Sequence, residues 1–376
     1  MHISEKCSIF AANFYNFRLS MKIRVLFCAL LFAVAAYSQE TVSLIFGGDA
    51  MVHSPQFQWA YNASTDTYDF EPNFRYIRPF LERADLAIVN FETTLAGKPY
   101  SGYPNFASPD SYLDALKNAG FDVFMMANNH VLDRGRRGME RTLDQMGDCP
   151  NMGAYRTPED RAERYPLIME VQGLRIAFFN CTYGCNGYQA LPPTHVNLID
   201  TAEIAADLRS IEDKQIDLRV MTIHWGLEYV TKATDEQRQM ARWFADKGFD
   251  LVIGSHPHVV EDGEMIGDVP VMYSMGNLIS NQRRLNTNGG ILVRVNIIRN
   301  TKKISSVEFL PCYVHKGILQ QEVDGTVKQE RQYFLIPTTE YLAGHYPFVL
   351  PAADEEALKT FHFNTVNRLP NFKLMR

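Results

Sequence analysis

The chain has 376 residues, 46% hydrophobic and 21% charged, with 37 Lys and Arg against 43 Asp and Glu and a net charge of −6. That length can bury a large core without disulfides or a structural metal, and the charge balance excludes a protein that holds nucleic acid through a basic face. Gly and Pro usage is ordinary, and no charge run, low-complexity tract or solenoid repeat appears, so disordered, fibrous and repeat architectures are excluded as well.

The first feature along the chain is Val25–Ala36 (VLFCALLFAVAA), a 12-residue apolar run that follows Lys22 and Arg24 and closes on Ala36-Tyr37-Ser38. A membrane span needs about 20 such residues. Basic, then apolar, then small is the order of a secretory signal peptide. Residues 1–38 therefore read as a leader, with the signal peptide at 21–38 headed by Met21; an uncleaved anchor is the alternative. The expectation is an exported protein, periplasmic or associated with the cell envelope, with no transmembrane helix in the mature chain. Cleavage would move the net charge from −6 to −9 and leave Cys149, Cys181, Cys185 and Cys312. Four cysteines are too few for a disulfide scaffold. Cys181 and Cys185 are spaced either to bridge or to be ordinary buried thiols.

From Thr41 onward, short apolar runs alternate with helix-like stretches. Val42–Phe46, Leu86–Val89, Val123–Met126, Val220–Ile223, Leu251–Ile253 and Val271–Tyr273 each read as a buried strand. Between them, Met139, Thr142, Leu143 and Met146 share one helical stripe. Ile204, Leu208 and Ile211 share a second, and Met240, Trp243 and Phe244 a third, with Thr234 and Gln237 spaced as a capping box. Two hairpins are expected, Leu167–Val171 with Leu174–Phe179, and Ile291–Ile298 with Ile304–Leu310. The sum is an α/β core with added antiparallel strands. Near the C-terminus Ala353–Phe363 reads as a helix with Leu358 and Phe361 on one face, covering a sheet edge, with Tyr341–Pro351 as linker.

Each buried run is followed by a polar cluster: GGDAMVH after Phe46, Asn90-Phe91-Glu92 after Val89, ANNHVLDRG after Met126, HWGLEY after Ile223, GSHPHV after Ile253 and SMGN after Tyr273. Ligands of open α/β sheets bind at the carboxyl ends of strands, so six such ends carrying Asp, Glu, Asn and His point to one convergent site. Imidazole with carboxylate and amide oxygen suits Mn, Zn or Fe, and the absence of thiolate from the motifs argues against a closed structural zinc site. Asp49, Glu92, Asn129, His224, His256 and His258 are the candidate ligands. Each has a plainer reading: Asp49 as a helix N-cap, Asn129-His130 as a capped turn, Asn277 as a left-handed turn residue, His53 as a loop residue, and the Arg134, Arg136 and Arg137 cluster as a solvated helix face.

Taken together and in order, GGDAM, IVNFETTL, MANNHVLDRG, TYGCNG, IHWGLEY, GSHPHV and YSMGNLI resemble the CapA-like family, the poly-gamma-glutamate capsule synthesis proteins, from about Thr41 to Leu310. That family looks like an offshoot of the calcineurin-like metallophosphoesterases. The resemblance implies a four-layer α-β-β-α metallophosphoesterase-like sandwich, here with added antiparallel hairpins. It also implies a site of one or two divalent transition ions. Asp49 matches the first motif of the wider superfamily, with Met51 where that motif has its His. Glu92 stands for the bridging carboxylate, Asn129 and His130 for a ligand and a catalytic acid, and His224, His256 and His258 for later ligands.

The expected organisation is a CapA-like metallophosphatase-type domain over 41–311 and a C-terminal extension over 312–376 packing on the core. The expected activity is hydrolysis of a phosphoester or amide-type bond by a metal-activated water. In it His130 protonates the leaving group, Asp133 orients His130, and Arg134, Tyr183, Glu228 and Asn277 contact substrate or support the site. The expected partner is an anionic polymer or a phosphorylated envelope substrate, with envelope synthesis machinery alongside and no nucleic acid. A second reading is a non-catalytic accessory that binds an anionic surface polymer. A nucleotide- or sugar-processing enzyme with a glycine-rich loop has no support, since no such loop follows a strand.

Overall fold

The computed structural model describes residues 41–323 and 326–375; the leader with its signal peptide lies outside them. Two sheets form the centre. The first is built from β1 (Thr41–Ala50), β2 (Leu86–Phe91), β3 (Val123–Met125) and β4 (Asn151–Met152). The second is built from β5 (Leu167–Val171), β6 (Leu174–Thr182), β7 (Leu218–His224), β8 (Leu251–Ser255), β9 (Gly263–Ile266) and β10 (Val269–Met272). The chain then returns to the first sheet with β11 (Asn277–Ile279), β12 (Gly289–Ile298), β13 (Lys303–Val323), β14 (Thr326–Pro337) and β15 (Lys373–Leu374). The first sheet runs β14-β13-β12-β1-β2-β3-β4, with β11 beside β1 and β15 beside β13; the second runs β9-β10-β8-β7-β6-β5. β1 through β4 are mutually parallel, as are β6, β7, β8 and β10.

Strand alternation sorts the side chains into layers. Val42, Leu44 and Phe46 of β1 meet Ile176 and Phe178 of β6, and Val220 of β7, between the sheets. Ile45, on the other face of β1, joins a cluster with Leu116 of helix α2 (Ser111–Ala119) and Met139 of α3 (Gly135–Met146). Ala177 and Phe179 of β6 pack with Ile204 of α4 (Thr201–Arg209) and Phe244 of α5 (Asp235–Asp246). Three cores between four layers make the fold an α-β-β-α sandwich. Thr234 caps α5, its side chain accepting from the Gln237 N–H while Gln237 reaches back to the Thr234 N–H at 2.8 Å.

All six expected strands and both expected hairpins are present, most of them longer than expected, β13 by more than ten residues, while two of the runs end early. Val123–Met126 ends at Met125, and the Val271–Tyr273 run ends at Met272, because Tyr273 turns away to enter the loop before β11. The division at 311/312 falls inside the continuous strand β13. Tyr341–Pro351 is not wholly a linker, since a short helix, Thr338–Leu342, reaches into it. The last helix, α6 (Ala352–Arg368), puts Leu358 and Phe361 into the core between the sheets, while the chain just after it brings Phe372 against Gly263 of the edge strand β9. Cys181 and Cys185 are free and belong to different apolar clusters, which settles them as buried thiols.

Candidate metal centre

The parallel strands of both sheets end at one place. Asp49 closes β1 where the register against β2 slips at Gly48, a bulge that re-aims the carboxylate. Asn90 and Glu92 sit two residues apart at the end of β2 and so share a face. His224 ends β7. His256 and His258 follow β8 with φ of 102° and 59°, left-handed values that a side-chain-bearing residue adopts at a cost of about 1–3 kcal/mol and that gather at functional sites.

The resulting cluster is buried and tight. Ligand atoms of Asp49, Glu92 and His224 lie within 4.8 Å of one another, and all three residues are buried. Glu92 Oε1 is fully buried with no hydrogen-bond partner among the described residues. It faces three imidazole nitrogens: His224 Nε2 at 3.8 Å, His258 Nε2 at 4.0 Å and His130 Nε2 at 4.0 Å. His258 Nδ1 meets Asp49 Oδ2 at 3.0 Å, and His224 Nε2 meets Asn129 Oδ1 at 3.0 Å. The His256 ring lies 4.8 Å from that of His224, with its Nδ1 also buried and unpartnered.

The electrostatics of this cluster are unfavourable without a cation. Burial, and then the Asp49 carboxylate beside it, push the Glu92 carboxyl well above the usual range. Burial and neighbouring imidazoles hold His224 well below its ordinary value, and His256 is lowered to about 3 by burial and then His258. His224 and His256 are therefore neutral and able to donate lone pairs. An orphaned carboxylate oxygen facing three imidazole nitrogens, with oxygen and nitrogen donors and no thiolate, fits a divalent transition ion.

The cluster floors a cavity of about 240 Å³ whose lining includes Met51, His53, Tyr103, Phe106, His130, Glu228, Tyr229 and His258. His130 stands edge-on to Phe106, and its Nδ1 lies 2.7 Å from Asp133 Oδ2, which also accepts the Phe106 N–H at 2.7 Å. The segment carrying both is a series of turns before α3, not a helical turn. Tyr183 packs 4.5 Å from the His256 ring and lines a neighbouring pocket with Trp225 and Leu227, and Glu228 is an exposed carboxylate of the cavity wall. Two expected substrate contacts lie elsewhere. Arg134 turns to Ser101, donating to its Oγ at 3.2 Å, because its backbone serves as the N-cap of α3. Asn277 is buried in β11 opposite Asp49 and donates to Gln282 Oε1 and the Thr287 carbonyl, which makes it part of the frame.

Three residues matter more than the sequence reading gave them. The Asn90 amide donates to Asp49 Oδ1 at 2.8 Å and Glu92 Oε2 at 3.2 Å, and lies 3.3 Å from His224 Nδ1. Its position two before Glu92 on a strand was the available signal. Asn186 accepts from the Asn129 amide at 3.2 Å and approaches His130 Nδ1 at 3.4 Å; nothing local marks it. His53 caps the helix α1 (Ser54–Ala60) and lines the cavity, which burial reflects by lowering it to about 4.

Two supporting residues yield predictions. A methyl group on Gly254 would overlap the Tyr273 carbonyl and the Trp225 ring, so Gly254→Ala should lower stability by about 3 kcal/mol, read as a shift in the denaturation midpoint. Glu261 is fully buried, and its carboxyl is raised to about 8 by burial, against a hydrogen bond from Gln237 that lowers it. An unfolded Glu titrates near ~4.3, so between that value and about 8 the folded chain binds the extra proton and loses stability as pH rises. Glu261→Gln should therefore melt progressively higher than the parent from pH 5 to pH 8. Parallel melting curves would refute the assignment.

A family model described as bacterial capsule synthesis protein PGA_cap matches residues 43–282. The PGA biosynthesis protein CapA of Bacillus subtilis (strain 168) is 29% identical over 307 residues, 77% of this chain and 78% of that protein. The capsule biosynthesis protein CapA of Bacillus anthracis is 27% identical over 266 residues, 65% of this chain and 62% of that protein. Among solved structures, a Staphylococcus aureus protein described as a 5'-nucleotidase overlaps 86% of this chain and 58% of its own, at 14% identity and a TM-score of 0.48.

Proposed function

The chain belongs to the bacterial capsule synthesis protein family, and on that premise we propose that it is an exported, metal-dependent hydrolase of envelope-polymer synthesis, acting on a phosphoester or amide-type bond. The observation that carries this reading is the orphaned Glu92 Oε1 with three imidazole Nε2 atoms 3.8–4.0 Å away. Asp49, Glu92, Asn129, His224, His256 and His258 would hold one or two ions of Mn, Zn or Fe. Such an ion supplies Lewis acidity and makes water a nucleophile near neutral pH.

The chain's own residues supply the rest. Asp133 accepts a hydrogen bond from His130 Nδ1, which leaves Nε2 facing the cavity and the cluster; in the doubly protonated ring Nε2 carries the second proton, which passes to the leaving group and leaves the imidazole neutral. The Phe106 N–H holds Asp133 in place, and the Phe106 ring holds the imidazole plane. The Asn90 amide donates to both Asp49 and Glu92 and so orients the two carboxylates beside His224. Export rests on the apolar run near the start of the sequence; among the described residues no helix is long and apolar enough to cross a membrane.

Elemental analysis of purified protein tests the centre. About one or two transition ions per chain are expected, and His256→Ala should lose most of them. Wild-type protein that takes up no metal would sink the reading. One observation favours a non-catalytic accessory that binds an anionic polymer: Met51, a thioether, is buried and lines the cavity, so one potential ligand position is apolar. A His130 variant that keeps both metal and envelope function would decide for that role.

A further inference from the structure

Tyr183 is shared by the cluster and a second cleft. Its ring packs 4.5 Å from that of His256, its hydroxyl is bonded to the Asn129 side chain, and it lines a cavity of about 440 Å³ with Ile199, Trp225, Leu227, Gln237 and Met240. The walls come from the segment that follows β7, the first turns of α5 and the chain before α4. The polar side chains of this lining are already engaged. Trp225 Nε1 donates to the Tyr273 carbonyl at 3.0 Å. Gln237 accepts the Thr234 N–H at 2.8 Å and donates to Glu261 at 2.9 Å, and the Thr234 hydroxyl oxygen accepts the Gln237 N–H at 3.2 Å. What remains is carbon and sulfur surface, with the exposed Glu236 carboxylate as the one charged group of the lining. Leu227 is 59% exposed and Tyr183 48%, and Val230, whose N–H bonds to the Leu227 carbonyl at 3.4 Å, adds another exposed apolar side chain. The segment after His224 is held in place by Gly226, which has φ of 89° and lies so close to the Gln237 amide that a methyl group there would overlap it.

A cleft whose polar side chains are spent selects its guest by apolar burial. We propose that it holds a hydrocarbon chain carried by the substrate, which is then an amphiphile: a phosphoester or amide head at the cluster, and an apolar chain passing over Tyr183 into the cleft. The position of the head rests on the hydrolase reading above; the affinity of the cleft for hydrocarbon does not. A dry apolar cavity of about 150 Å³ takes a benzene-sized guest, so the larger volume here has room for a chain. The Glu236 carboxylate repels an anionic head from the cleft and so sets the direction in which the amphiphile lies. A nucleoside base or a peptide segment is disfavoured, because its N–H and C=O groups would lose water without finding a free side-chain partner.

The test titrates the full chain, loaded with Mn and stripped of it, with alkylphosphonates from methyl to octyl, whose carbon–phosphorus bond resists hydrolysis, below their micellar concentrations. Affinity should rise about fourfold per methylene until the cleft is filled, from a weaker base in the stripped chain. Leu227→Glu, at an exposed position, should cut octylphosphonate affinity about tenfold and leave methylphosphonate unchanged. Met240→Glu reads the same quantity from the opposite wall, and Leu285→Glu, which is exposed but does not line the cleft, should bind like the parent. An isoprenoid phosphonate against its straight-chain counterpart tells a branched chain from an acyl-type one; tighter binding of either than of methylphosphonate supports the cleft. A flat series in the folded, loaded chain overturns the proposal, and methylphosphonate binding that still needs Mn then keeps the hydrolase reading. A rising series that gains nothing from Mn has the opposite meaning: the cleft stands and the hydrolase reading falls. A flat series together with vesicle binding or a dimer that Leu227→Glu abolishes overturns the proposal in favour of a bilayer or protein contact.

Discussion

Glu92→Gln should empty the centre while leaving the metal-free fold at least as stable as the parent. Glutamine copies the shape of the protonated carboxyl that burial and Asp49 favour in the metal-free chain, so the cost of ionising a buried acid disappears. The same change removes the one oxygen that faces three imidazole nitrogens. Wild-type protein saturated a thousandfold above its dissociation constant gains about 4 kcal/mol from the ion, and the variant should gain almost none. Melting with and without a chelator, together with metal content per chain, reads both effects. A variant that keeps its full metal complement would show that Glu92 is a core acid and nothing more.

The second large effect concerns His130. Its Nε2 faces the cluster while Asp133 engages Nδ1, so His130→Gln should cut turnover of a model phosphoester or amide by about 10²–10⁴-fold with metal content unchanged. Asp133→Asn should cost about 10–100-fold. Both the Phe106 N–H and His130 Nδ1 meet one oxygen, Asp133 Oδ2, a place an amide oxygen could still fill, so the loss comes from the missing negative charge that holds the imidazole proton on Nδ1. Equal losses of metal and turnover in His130→Gln would instead make this histidine a ligand.

Much of this was legible in the sequence because strands write their burial into short apolar runs, and because polar residues directly after a buried run have few other reasons to be there. Asp49, Glu92, Asn129, His224, His256 and His258 are gathered in one place by five strand ends. What stayed hidden depends on tertiary geometry. Asn186 reaches Asn129 and His130 from a loop more than fifty residues away in sequence. Arg134 looked like an anion contact until the fold spent its guanidinium on Ser101. Asn277 carried a motif's polarity but serves the β11 frame. The long β13–β14 hairpin went unread although Asp324-Gly325 is a hairpin turn signal, because its strands alternate only weakly.

The donors of the centre come from two different sheets: Asp49, Glu92 and Asn129 from the first, His224, His256 and His258 from the second. Beside these side chains a few hydrogen bonds cross between the halves, such as the Ala127 N–H to Asn180 Oδ1 at 2.8 Å, and the shared core is non-directional apolar contact, which tolerates sliding. An ion held at the seam would act as a rivet, locking one slab against the other. Metal scarcity would then shorten the lifetime of the polypeptide itself, visible as faster cleavage by a protease in chelated samples, so that supply of the ion governs how much protein survives as well as how much is active.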